Sequence, residues 1–313
     1  MPESGVPARV GLLGGGVIGG GWAARFLLHG SDVSLYDPAA GAETTVAHVL
    51  SNARVALDGL GTTRPAEGRL TMVSTPEEAV READFVQESA PERLELKQEL
   101  LARACAACPA GVVMASSTSG LRPSLIAERM PSPERFAVGH PFNPVYLLPL
   151  VEVVGGEQTA PETVEDAAEI YRSIGMQPLI VRREIDGFIA DRLQEALWRE
   201  ALWLVHDGIA TVEEVDDAIR LGPGLRWAFM GPFLTYRMGG GEGGMRHFLE
   251  QFGPSLEWPW TKLTDVPDLT DELIETIVEQ SDAQAAGRSA RDLERMRDRH
   301  LVAVVRALRG QEP

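Results

Sequence analysis

Arg9-Val10-Gly11-Leu12-Leu13-Gly14-Gly15-Gly16-Val17-Ile18-Gly19 passes from a short apolar run straight into closely spaced glycines. Trp22, Phe26 and Leu27 then recur at helical spacing up to a stop at Gly30. Val33 to Tyr36 reads as a second strand that ends at Asp37, so the opening stretch is a β-α-β unit. In its turn, Gly14 permits the tight bend, Gly16 lets backbone approach a pyrophosphate, and Gly19 lets the helix pack on the strand. Val17 and Ile18 put the first helical N–H groups, with the positive end of the helix dipole, against the phosphates. Asp37 stands about 20 residues further on, where a carboxylate accepts both ribose hydroxyls and repels a 2′-phosphate. Pro38 follows with no basic residue beside it. The expectation is a dinucleotide site that takes NAD rather than NADP.

Outward from this unit the alternation continues. Strand candidates are Thr71 to Val73, Phe85 to Glu88, Val112 to Ala115, Phe136 to Gly139, Val151 to Val154 and Leu179 to Val181. Thr75-Pro76-Glu77-Glu78 and Thr159-Ala160-Pro161-Glu162 mark helix starts, each with a hydroxyl, a proline and an acidic residue. After Arg183 only helical periodicity remains. Ile189, Leu193, Leu197 and Leu204 trace one apolar face, and Thr211-Val212-Glu213-Glu214 opens a helix carrying Val215 and Ile219. The predicted fold is α/β: a Rossmann-type doubly wound, mostly parallel sheet over residues 1–185, then a smaller all-helical domain over 186–313. Gly239 to Gly244 reads as a loop.

Composition narrows the function classes. The chain has 313 residues, with 46 acidic against 29 basic and a formal net charge of −17. That balance excludes a nucleic-acid footprint and fits a solvated surface. No apolar run reaches the ~18 to 20 residues that cross a bilayer, and Met1 to Pro7 lacks the pattern of a signal peptide, so a cytoplasmic protein is expected. Cys105 and Cys108 form a C-x-x-C in an alanine-rich helical stretch before Pro109. Without a second ligand pair they read as packing rather than as redox or zinc chemistry, and no metal is expected.

Three further stretches carry chemistry: Ser119 at the end of Ser116-Ser117-Thr118-Ser119, His140 in Gly139-His140-Pro141-Phe142-Asn143-Pro144, and Glu152 in Leu150-Val151-Glu152-Val153. Their arrangement resembles the L-3-hydroxyacyl-CoA dehydrogenase superfamily, from the N-terminus past residue 240. An alcohol oxidation needs a base, and an imidazole titrating near ~6.5 suits that task. The resemblance implies His140 as that base, Glu152 as the carboxylate orienting it, Ser119 as the hydroxyl holding the substrate oxygen, and Asn143 as a supporting polar group. It also places Glu92 and Lys97 against the nicotinamide half of the cofactor; by themselves both read as an ordinary exposed helix face. A homodimer joined through the helical domain is implied as well, with amphipathic stretches near Leu197 to Val205 and Asp292 to Leu308 compatible with it.

Departures from the family pattern concern the substrate. In Gly187-Phe188-Ile189-Ala190-Asp191-Arg192-Leu193 the family's usual asparagine is replaced by Asp191, which is either a solvated carboxylate paired with a nearby arginine or a group that favours a cationic ligand. The segment between Asp37 and Glu92 reads as shorter than the family's coenzyme A cradle and offers no lysine. Runs at Gly222 to Phe233 and Gly243 to Phe248 resemble the branch close to lambda-crystallin and L-gulonate 3-dehydrogenase. Together these imply a small, carnitine-like 3-hydroxy acid. A quaternary ammonium is recognised through aromatic faces, for which Phe142, Trp227, Phe229, Tyr236 and Phe252 are candidates, each also readable as core. Arg226, before Arg122, is the expected partner of a substrate carboxylate. L-gulonate, a short hydroxyacyl-CoA ester and a purely structural, crystallin-like role are the alternatives.

Overall fold

A computed structural model describes residues 5–61, 63–228, 231–239, 244–252 and 290–308, together with 260, 261, 268, 270–276, 278 and 286. The chain divides into two units, Met1–Arg192 and Leu193–Pro313. The first is built on an eight-stranded sheet: β1 (Arg9–Leu13), β2 (Asp32–Tyr36), β3 (Leu70–Val73), β4 (Phe85–Glu88), β5 (Met114–Ser116), β6 (Phe136–Pro141), β7 (Leu150–Gly155) and β8 (Gln177–Val181). Its strand order is β3-β2-β1-β4-β5-β6-β7-β8. β1 to β6 run parallel, β7 turns antiparallel to β6, and β8 is parallel to β7. The order reverses between β1 and β4, and ligands of such sheets bind in the crevice at the carboxyl ends of the strands flanking that point.

Helices α1 (Val17–Leu27), α2 (Ala42–Leu60), α3 (Pro76–Val80), α4 (Leu94–Ala107), α5 (Pro123–Ala127) and α6 (Pro161–Ser173) connect the strands. β4 and β6 are buried along their whole length, as strands covered on both faces must be. Under α1 the rings of Trp22, Phe26, Phe85 and Tyr171 pack at centroid separations of 5.2 to 5.9 Å. The Thr75 hydroxyl caps α3 by accepting the Glu78 amide, as the sequence predicts. The second predicted cap differs. α6 is preceded by Ala160, while the Thr159 hydroxyl donates to the Phe136 carbonyl and accepts from the Gly156 amide. Tying the entry of β6 to the exit of β7 satisfies two backbone groups at once, which a cap would not.

α7 (Ala190–His206) leads from the first unit into the second. The described residues of the second unit form helices and connecting turns and no strand, with α8 (Val212–Arg220), α9 (Pro223–Trp227), α10 (Pro232–Gly239), α11 (Gly244–Phe252) and a last helix over Ala290–Leu308. Thr211 and Glu214 form a capping box at α8. Of the apolar face read from the sequence, Ile189, Leu193 and Leu197 are exposed and Leu204 is half-buried; Trp198 is also exposed, and Leu202 is the buried residue of that helix. Among the described residues no helix is long and apolar enough to cross a membrane.

Candidate active site

At the carboxyl end of β1 the glycine turn is forced by contacts. Gly14 has φ +110°, and a Cβ there would lie 2.5 Å from the Ser89 carbonyl oxygen beyond β4. A Cβ on Gly19 would lie 1.9 Å from the Gly14 carbonyl oxygen. Gly16 contrasts with both, because its missing Cβ points into open space. Gly16 also precedes α1 without any side-chain cap, and no acidic residue occupies the first turn. Val17 there is exposed and Ile18 half-buried. An uncapped helix N-terminus facing open space is a ready anion site, so the turn fits a pyrophosphate. Asp37 closes it: one carboxylate oxygen accepts the Gly15 amide at 2.6 Å and the other the Ala39 amide at 2.7 Å. A half-buried carboxylate fixed beside the loop by two amides is the partner a ribose diol needs.

Glu92 and Lys97 fall at the neighbouring strand ends. Lys97, on α4, is not on an exposed face: it is 1% exposed, and its ammonium lies 2.8 Å from Glu88 Oε1, 2.9 Å from the Ala90 carbonyl and 3.3 Å from Glu92 Oε2. Those three acceptors use the three donors of an ammonium, so the reading of this lysine as part of an ordinary exposed helix face does not hold. Its work here is to hold Glu92. Glu92 in turn accepts the Thr118 hydroxyl and, at 3.2 Å, the Ser119 amide. Glu88 accepts the Ser116 hydroxyl at 2.5 Å and is wholly buried. The carboxylates thus pin the turn after β5 that presents Ser119, which is exposed. Glu88 escaped the sequence reading; a charged residue closing the apolar strand Phe85-Val86-Gln87-Glu88 was its signal.

His140 and Glu152 are brought together by the one antiparallel pairing in the sheet's second half, where they stand directly opposite each other on β6 and β7. His140 Nδ1 is 3.0 Å from Glu152 Oε2; the histidine is 4% exposed and the glutamate 0%. The other glutamate oxygen accepts the amides of Ile189 at 2.9 Å and Ala190 at 3.0 Å, at the start of α7. Gly187 and Phe188, both at positive φ, turn the chain so that these amides face the sheet. Burial by itself would raise the Glu152 carboxyl, but hydrogen bonds from His140, Ala190 and Ile189 outweigh it and hold the group below the usual carboxylate range. An ionised carboxylate only accepts, so Nδ1 carries the ring proton and Nε2 is left as the basic nitrogen.

Asp191, in the first turn of α7, places Oδ2 3.6 Å from that Nε2, with its side chain 31% exposed. Further along the helix Glu195 meets Arg199 at 3.0 Å. Phe142 sets its ring edge-on to His140 at 4.8 Å and the Phe188 ring lies at 5.6 Å, so two aromatic rings pack against the imidazole. Asn143 is exposed beyond them, joined to Pro144 by a cis peptide bond. Arg25, on α1, fastens this connection by donating to the carbonyls of Val145 and Leu148, and burial pushes its guanidinium down to about 10. Beneath His140 the Tyr171 hydroxyl donates to Gln87 at 2.6 Å, where a Cβ on Gly139 would come within 1.8 Å of it.

Of the remaining candidates, all but Arg122 belong to the second unit. Arg226 and Trp227 are exposed on α9, and Tyr236 on α10 stacks on Phe248 at 4.8 Å. Phe229 and the side chain of Phe252 fall outside the described residues. Arg122 pairs with Asp186 at 3.4 Å. Cys105 and Cys108 are buried, and burial pushes the Cys108 thiol up to about 11, which makes it a poor nucleophile or ligand.

Residues 9–185 match the model of the 3-hydroxyacyl-CoA dehydrogenase NAD-binding domain, and residues 187–276 that of the 3-hydroxyacyl-CoA dehydrogenase C-terminal domain. An L-carnitine dehydrogenase of Mesorhizobium japonicum is 57% identical over 309 residues, spanning 97% of this chain and 84% of that protein. One of Pseudomonas aeruginosa is 58% identical over 298 residues, spanning 95% and 92%. Among solved structures, 5-formyl-3-hydroxy-2-methylpyridine 4-carboxylic acid 5-dehydrogenase, an NAD+-dependent dismutase, superposes with a TM-score of 0.82 at 30% identity, covering 97% of this chain and 99% of its own.

Proposed function

The chain belongs to the 3-hydroxyacyl-CoA dehydrogenase family and is an NAD-dependent 3-hydroxy dehydrogenase; from that premise we propose that it oxidises the 3-hydroxyl of L-carnitine to 3-dehydrocarnitine. Gly14, Gly16, Gly19, the opening amides of α1 at Val17 and Ile18, and Asp37 hold NAD, with Glu92 towards its nicotinamide half. NAD, when bound, takes the hydride released from the carbinol carbon. His140 Nε2 removes the hydroxyl proton, while Glu152 fixes the ring through Nδ1 and stabilises the imidazolium that forms. Ser119 holds the substrate oxygen, and Asn143 supports the site.

The observation that carries the substrate assignment is Asp191 beside Nε2, with the Phe142 ring against the same imidazole. A carboxylate and an aromatic face are the two groups that attract a trimethylammonium, each ring contact contributing ~0.5 to 2 kcal/mol. Arg226 takes the substrate carboxylate, and Trp227, Phe229, Tyr236 and Phe252 supply further rings from the helical domain. The exposed apolar residues of α7 are covered by a second copy of the chain, giving a homodimer. L-gulonate would bring a lone negative charge towards Asp191.

The test is the initial rate of NADH formation with L-carnitine, L-gulonate and L-3-hydroxybutyryl-CoA. Carnitine is expected to give the highest kcat/KM. A higher value for the CoA ester or for gulonate overturns the substrate assignment, and no NADH with any of them points to a crystallin-like structural role.

A further inference from the structure

Resting on the reading that the turn after β1 holds the dinucleotide, we propose that the Ser89 side chain is a further cofactor contact: its hydroxyl, poised as a donor by a relay that starts at Tyr171, gives a hydrogen bond to a hydroxyl oxygen of the nicotinamide ribose. The direction of that relay follows from counting donors. Tyr171 is wholly buried and donates to Gln87 Oε1 at 2.6 Å, while Gln87 Nε2 lies 2.8 Å from Ser117 Oγ and 3.3 Å from the Gly139 carbonyl. A carbonyl only accepts, so the amide nitrogen must face Gly139 and, with it, Ser117. The indole Nε1 of Trp22, which only donates, reaches the same Ser117 Oγ at 2.9 Å. Two donors fill both lone pairs of that hydroxyl. Its own proton goes to the third neighbour, Ser89 Oγ, at 2.9 Å. Ser89 therefore receives a proton from Ser117 and cannot return one, and among the described residues nothing else takes the Ser89 proton.

Ser89 is the first residue beyond β4, half-buried, and on the far side of β1 from Asp37. Its amide donates to the Leu13 carbonyl at 2.7 Å, which seats it against the glycine turn, and a Cβ on Gly19 would stand 3.5 Å from the Ser89 Cβ. The strand order β2-β1-β4-β5-β6 sets out what each strand end can meet. With the adenosine ribose at Asp37 after β2 and the pyrophosphate at the start of α1 after β1, the nicotinamide must pass β4 to reach Ser119 after β5 and His140 on β6. The part of a dinucleotide that lies between its pyrophosphate and its nicotinamide is the second ribose, whose hydroxyl oxygens can accept. Because Ser117 already occupies one lone pair of Ser89, the hydroxyl rotor is restricted before the cofactor arrives, which lowers the ordering cost of the contact.

The experiment measures by calorimetry the affinities of NADH, ADP-ribose and ADP for wild type, Ser89→Ala and Ser89→Cys. ADP ends at the pyrophosphate, whereas ADP-ribose adds the second ribose without the nicotinamide. Loss of one neutral hydrogen bond should weaken NADH and ADP-ribose about 3- to 10-fold in Ser89→Ala and leave ADP within about twofold. Ser89→Cys, which keeps the bulk of the side chain with only a weak donor, should show the same pattern. KM for NAD should rise by the same factor, while kcat at saturating NAD and the melting temperature of the free protein hold. Unchanged ADP-ribose affinity in both variants overturns the proposal. So does an equal loss for ADP, which marks a disturbed turn rather than a ribose contact. Asp37→Ala tests the underlying reading separately: if it leaves ADP affinity untouched, the placement of the dinucleotide fails. If it weakens ADP while the Ser89 variants bind ADP-ribose as wild type does, only the Ser89 contact fails.

Discussion

Replacing Glu152 by glutamine keeps the volume and one carbonyl oxygen, which can still accept the Ile189 and Ala190 amides, but it turns the atom facing His140 Nδ1 from an acceptor into a donor. Two donors cannot share that 3.0 Å contact, so the ring must move its proton to Nε2, the nitrogen that has to be bare. Loss of a charge-assisted hydrogen bond to the developing imidazolium removes about 1.5 to 3 kcal/mol, roughly 10- to 150-fold in rate. With the tautomer inverted as well, the fall in kcat should lie at about 10² to 10⁴, the range of general-base catalysis. KM for NAD should hardly change, because the dinucleotide turn lies at β1 and β2. Stability gives a second reading. Held below its ordinary range in the fold, the Glu152 carboxyl stabilises the protein above its unfolded-state value, and that contribution is lost as pH falls through the depressed value. Glu152→Gln should therefore flatten the acid side of the stability curve. Stopped-flow and steady-state NADH absorbance give kcat, and thermal melts from pH 3 to 7, roughly the carboxylate range and above, give the stability. A variant that keeps more than about one-tenth of wild-type kcat would refute the assignment of Glu152 as the group that sets the base.

Other perturbations probe the remaining supports. Gly139→Ala should melt earlier by a cost of about 1 to 3 kcal/mol, because a methyl overlaps the Tyr171 hydroxyl that Gln87 fixes; an unchanged melting temperature would mean that Tyr171 moves freely. Asp37→Ala should lower kcat/KM for NAD by roughly 10- to 150-fold and narrow the gap to NADP, with the melting temperature showing whether the Gly15 turn persists; full activity with NAD would remove Asp37 from the ribose site.

Much of this protein was legible along the chain because its elements are specified locally. Each strand candidate overlaps a strand of the sheet, that at Val112 to Ala115 only from Met114 onward, and the glycine turn follows β1 as read, since apolar runs and glycine geometry act over a few residues. The dehydrogenase class was legible for a related reason: His140 and Glu152 lie only a hairpin apart, and the antiparallel turn sets them face to face. Thr159 misled because a hydroxyl beside a helix can bind any nearby backbone group, and here the Phe136 carbonyl won. The exposed-face reading of Lys97 fails because periodicity cannot tell an exposed lysine from one buried between two carboxylates. Glu88 carried only the weak signal of a charge closing an apolar strand, and the Ile189 and Ala190 amides carried none, as their roles exist only where separate strand ends and a helix start converge. The residue types thus determined the fold class, the cofactor and the reaction class. Only tertiary structure decided that Asp191 comes within 3.6 Å of the imidazole, because the placement of a charge depends on distances of a few ångströms that no spacing along the chain encodes.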